Sequence, residues 1–192
     1  MWSFILKMRT PLLIRFIFSP AVEFERLKEN PLPLGYTFSR IHLPLVLISA
    51  FIVILGVTAN EEGISPLTLH YFVYTTIKWI LSIYLSAWAV NRLVSAFKGT
   101  KNIRNVYTLM VVSTVFVVLA LSVSFVMPER RSFVSLFSLV GLYHFYQGAI
   151  IFTSIRRERT VGFLLISLLI FAINTVFFEF FLGILFGIPI HL

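Results

Sequence analysis

Runs of about twenty mainly apolar residues recur five times along this chain, and a helix of that length is what crosses the hydrocarbon of a bilayer. They lie near residues 38–58, 67–97, 106–127, 132–155 and 160–186. Hydrocarbon offers the backbone no hydrogen-bond partner, so each run must satisfy its own N–H and C=O groups by coiling into a helix. The pieces between the runs are short: ANEEGISP, KGTKNIRN, PERR and RRER. Short connections make successive helices antiparallel neighbours, the pattern of an up-and-down bundle. The expected fold is an all-α integral membrane protein. Residues 38–192 form the five-helix transmembrane domain, and residues 1–37 form an amphipathic interfacial segment ahead of it.

Composition supports that reading. Hydrophobic residues make up 58% of the chain and charged residues 12%, with a mean hydropathy of +0.94. A soluble domain carries about 25% charged residues, and this apolar surplus exceeds what a small core can bury, so lipid is the missing solvent. The net charge of +8 does not point to nucleic acid, because the cations sit between apolar runs rather than on one polar face. Cysteine is absent, which removes disulfides, thiolate metal ligands and a cysteine nucleophile.

The opening stretch MWSFILKMRTPLLIRFIFSP does not resemble a secretion signal, since Lys7, Arg9, Pro11 and Arg15 break any continuous apolar core. Apolar residues dotted with cations suit the membrane surface. SPAVEFERLKENP follows as a short helix, with Ser19 as N-cap, Pro20 in the first turn and NPLP as the stop. Phe24 and Leu27 are expected to face the membrane, and Glu23, Arg26 and Lys28 to face water.

Charge also orients the bundle. Lys7, Arg9, Arg15, Arg26, Lys28 and Arg40 precede the first run, Arg92, Lys98, Lys101 and Arg104 surround the second connection, and Arg156, Arg157 and Arg159 fill the fourth. Helices that alternate in direction place all of these on one side and leave Arg130 and Arg131 on the other. The positive-inside rule then predicts a cytoplasmic N-terminus and an external C-terminus.

A few polar residues fall inside the apolar runs. Lys78 lies about ten residues from the outer end of the second, and Glu179 is the carboxylate inside the fifth. Both are expected in the outer half of the bundle, where pairing would offset part of each desolvation cost. Lys78 could instead snorkel to the interface. In GLYHFYQG, His144 and Gln147 share a helix face, with Tyr143 one turn from Gln147. Asn174 and Asn91 extend a candidate polar seam, whose simplest role is hydrogen bonding between helices. His42, His70 and His191 are scattered near the ends of runs, and no ligand spacing for a metal is present. Gly141 and Gly148 flank the stretch, and Gly162, Gly183 and Gly187 punctuate the fifth run, where Gly183 and Gly187 form a GxxxG that permits close helix approach. No nucleotide loop, zinc-protease motif or nucleophile elbow occurs, and the chain has no Asp, so neither an enzyme nor a bound cofactor is expected.

FSPAVEFERLKENP, the five apolar runs and LVGLYHFYQGAIIFTSIRRERTVGFLLIS together resemble bacterial members of the Yip1 domain family. The resemblance implies a five-span domain with a cytoplasmic N-terminus in the bacterial inner membrane. It also implies a non-enzymatic scaffold or adaptor, though the long hydrophilic N-terminal region of eukaryotic relatives, which act as adaptors for small GTPases, is missing. Expected partners are membrane lipids, another membrane protein or a second copy. They would be met by Lys98, Lys101, Arg104, Arg156, Arg157 and Arg159. The alternatives are a small transporter or channel with a midplane site of Lys78, Tyr143, His144, Gln147 and Asn174, or a lipid-handling protein with an apolar groove open to the bilayer.

Overall fold

The computed structural model describes residues 12–60, 66–127, 132 and 136–188, and every regular element among them is a helix. Two short helices, α1 (Leu12–Phe18) and α2 (Pro20–Glu29), lead into a third, α3 (Leu34–Thr37). A π-turn over Phe38–His42 joins α3 to α4 (Leu43–Asn60). Then come α5 (Pro66–Leu93), a 3₁₀ turn over Val94–Phe97, α6 (Ile103–Val126), α7 (Ser138–Thr153) and α8 (Arg157–Phe186).

Local chemistry explains several boundaries. Pro44 lacks an N–H and its ring would press on the carbonyl one turn earlier, so the backbone ahead of it widens. The Leu43 N–H accordingly reaches back five residues to the Phe38 carbonyl. The Asn102 side chain caps α6 by accepting the Arg104 N–H at 3.1 Å. At the far end of α8, Gly187 takes φ = 63°, and the Ile188 N–H closes on the Gly183 carbonyl at 2.9 Å. A left-handed residue there is what glycine supplies without strain.

Four helical stretches are long and apolar enough to cross a membrane: Leu34–Thr58, Thr68–Phe97, Ile103–Ser124 and Arg157–Phe186. The first and last begin a few residues before the expected runs, at Leu34 and Arg157. α7 is different. Its 16 residues span about 24 Å, short of the roughly 30 Å of hydrocarbon. The remainder of that expected span includes residues 133–135, which lie outside the described residues.

α6 is the centre of the bundle. Of its apolar window 72% is buried by the rest of the chain, against 22% for α8. Val106, Leu109, Val111, Val112, Val115 and Val118 are all buried, on every side of the helix. α6 and α7 cross tightly at Gly141, where a Cβ would overlap the Ser113 carbonyl oxygen. Phe24 and Leu109 fill the space over Gly148 in the same way, with a Cβ landing 2.7 Å from the Phe24 ring.

That packing corrects the expectation for α2. Phe24 and Leu27 are buried against the bundle, not turned to lipid, with the Phe24 ring 5.1 Å from Phe16 and 5.0 Å from Phe152. Glu23 is buried as well and pairs with Arg26 at 2.8 Å and Arg15 at 3.9 Å. The physical reason is that α7 is too lean at Gly148 to cover its own flank, so α2 inserts there. Ile14, Phe18 and Val22 are exposed.

Candidate functional site

The antiparallel run of α5 against α8 sets opposite residues at matching depth. Lys78 Nζ donates to Glu179 Oε2 at 2.7 Å, joining the two charges expected to meet. Lys78 Nζ also lies 5.1 Å from the ring centres of Tyr74 and Trp79, so two π-faces support the ammonium while one carboxylate neutralises it. Both charged side chains are mostly buried, 13% exposed for Lys78 and 29% for Glu179. They border a cavity of about 120 Å³, whose wall includes Tyr71, Tyr74, Trp79 and Ser122. Val53, Tyr71 and Tyr74 of its wall belong to a second apolar cluster, together with Val57, Phe178 and Leu182.

One turn down α8 from this pair, the outer surface becomes apolar. A shallow hollow of about 440 Å³ follows α6, α7 and α8, lined by Val117, Leu121, Leu142, Leu168, Ala172 and Thr175 among others. Leu121 borders both this hollow and the charged cavity.

The expected seam around GLYHFYQG does not assemble. His144 is 2% exposed, and its ring nitrogens lie 2.7 Å from the Val140 carbonyl and 2.9 Å from the Phe16 carbonyl. Both partners can only accept, so a neutral ring serves one of them and the doubly protonated ring serves both. The imidazole thus lies between its own helix and α1, packed at 5.1 Å on the Phe116 ring. Tyr143 points outward, 54% exposed, and Gln147 is half-buried. Asn174 instead donates to Ser86 at 2.9 Å on α5. The Asn91 side-chain oxygen is buried and makes no hydrogen bond among the described residues. Lys78 and Glu179 thus come together, but Tyr143, His144, Gln147 and Asn174 do not join them.

Sequence reasoning missed the bonds that stitch α3 and α4 to α6. Thr37 meets Thr108 at 3.2 Å, His42 Nδ1 meets the Tyr107 hydroxyl at 2.6 Å, and Ser49 meets Ser122 at 2.6 Å. His42, expected near an interface, is fully buried because the π-turn rotates it inward. Small hydroxyls in apolar runs were the available signal, but their partners lie more than sixty residues away in sequence.

At the opposite end of the bundle from the ion pair, the Thr100 N–H donates to the Thr153 carbonyl at 2.7 Å. Gly99 makes this approach possible, since a Cβ there would sit 2.7 Å from both that carbonyl and Ile155. The connection carrying Lys98, Lys101 and Arg104 is thereby held beside the one carrying Arg156, Arg157 and Arg159. Of these six, all are exposed except the half-buried Arg159. Among the described residues, no three His, Cys, Asp or Glu side chains gather as a metal ion would require. No protein-family model, curated protein or solved structure matches the chain.

Proposed function

We propose that this chain is a non-enzymatic membrane scaffold or adaptor of the Yip1-like type, working from the basic end of its bundle. The observation that supports the reading is the Thr100–Thr153 bond, which sets the connection that carries Lys98 and Lys101 beside the one that leads into α8. Each Lys or Arg close to an anionic membrane surface contributes about 1 kcal/mol of attraction, and the same surface suits an acidic segment of a partner. The orientation follows from the charge bias: basic end and N-terminus in the cytoplasm, Lys78–Glu179 end outside, in a bacterial inner membrane. Five spans complete the arrangement, with α7 as the fourth. A helix of its length is accommodated by local thinning of the bilayer and by close packing on α6.

Two features weigh against a transporter built on the GLYHFYQG stretch. Its polar side chains diverge, and Thr37, His42, Ser49 and Ser86 bond to side chains of neighbouring helices. The test is photo-crosslinking in native membranes from positions in α2 and in the Arg156–Arg159 connection, followed by mild-detergent purification and mass spectrometry. The expected result is a stoichiometric partner that disappears when Arg156, Arg157 and Arg159 are changed to Gln while insertion is unchanged. Equal recovery from that variant would refute recruitment through this surface.

A further inference from the structure

The Lys78–Glu179 pair and the apolar hollow beside it have a joint geometry that the scaffold reading does not use. The charged cavity is roomy for water alone: about 120 Å³, where one water needs roughly 10–15 Å³ by the same measure. An anion entering it would draw Lys78 away and leave Glu179 without its partner. A cation would do the reverse. A molecule carrying both charges can engage each side while leaving neither uncompensated, which is the condition for breaking into a desolvated pair. Lys78 is already suited to sharing, because the Tyr74 and Trp79 rings hold its ammonium independently of the carboxylate.

Depth and continuity then select among zwitterions. Leu168, Ala172 and Thr175 line the hollow, and Glu179 is one turn beyond Thr175 on the same face of α8. From Leu168 to Glu179 the helix rises about 17 Å, close to half of the roughly 30 Å hydrocarbon thickness. An apolar channel one leaflet deep thus ends at a charge pair, with Leu121 bordering both parts. We infer that this is a binding site for one zwitterionic phospholipid whose headgroup ends in a primary ammonium. One acyl chain lies along α6, α7 and α8. The headgroup ammonium hydrogen-bonds Glu179, and its phosphate meets Lys78. This site lies at the other end of the bundle from the basic surface and stands or falls independently of it.

The experiment is thermal unfolding of the purified full-length chain in detergent, with three additives titrated separately: dioleoylphosphatidylethanolamine, dioleoylphosphatidylglycerol and soluble glycerophosphoethanolamine. The ethanolamine lipid is expected to raise the melting temperature progressively with concentration, by roughly 2–4 °C at several-fold excess over its Kd. The anionic lipid and the soluble headgroup are expected to produce less than half of that shift. The Lys78→Met/Glu179→Leu double variant, which leaves no unpaired charge, should lose the response. So should Ala172→Trp, a substitution at an exposed position that fills the hollow without touching the pair. Absence of a shift with the ethanolamine lipid would overturn the proposal. So would an equal shift with the anionic lipid or soluble headgroup, or an undiminished shift in folded Ala172→Trp.

Discussion

Alanine at Gly141 tests whether α6 and α7 are held at the separation described here. An alanine methyl there would overlap the Ser113 carbonyl oxygen, and a backbone atom cannot rotate aside. The matched control is Gly162 in α8, where the added methyl meets only the Phe97 ring at 3.4 Å, an ordinary contact. Glycine-to-alanine in a helix gains about 1 kcal/mol of propensity at either site, so that gain cancels between the two variants. The difference isolates the clash, which overpacking places at about 1–3 kcal/mol. For a chain of 192 residues each kcal/mol moves the melting temperature by about 2–4 °C. Gly141→Ala should therefore melt several degrees below Gly162→Ala in the same detergent. Gly162→Ala itself should match or slightly exceed the native chain. Coincident melting curves for the two variants would mean that α6 and α7 separate at no cost, and the tight crossing would be refuted.

Two further outcomes follow from the charges and the histidine. Lys78→Met and Glu179→Gln should each lower stability by about 1–3 kcal/mol, less than a fully buried pair would lose because both side chains keep some exposure. The exchanged pair, Lys78→Glu with Glu179→Lys, should recover the expression lost in the singles; an exchanged pair as damaged as the singles would refute partnership. His144→Phe keeps the ring against Phe116 but removes the N–H that the imidazole can give the Phe16 carbonyl, so α1 loses that tie to α7. Hydrogen exchange at residues 12–18 should accelerate roughly threefold to tenfold, the effect of about 0.5–1.5 kcal/mol. Unchanged exchange there would show that α1 does not depend on the His144 contact.

The apolar runs and the cations between them determined, without any coordinates, that the chain is helical, that four of the stretches are long enough to cross a bilayer and where the charged connections fall. These are local properties. A backbone in hydrocarbon has one way to satisfy itself over twenty residues, and a cluster of charges cannot enter. The Lys78–Glu179 pairing was also within reach, because antiparallel helices of known length bring equal depths together and few charges compete inside the spans. Helix length in the fourth run was not settled the same way, since its hydropathy does not say where the coil begins.

What only the tertiary structure decided is which face of each helix meets which neighbour. α2 has the pattern of a surface helix, yet Phe24 turns inward because Gly148 on a distant helix leaves a gap of its shape. His144 is read by sequence as part of a seam, yet its partner is a carbonyl 128 residues away in α1. The serine and threonine bonds from α3 and α4 to α6 follow the same rule. Apolar helices of this kind carry almost no amphipathic stripe, so periodicity gives the coil but not its rotation. Rotation is fixed only when the small residues of all the helices pack at once.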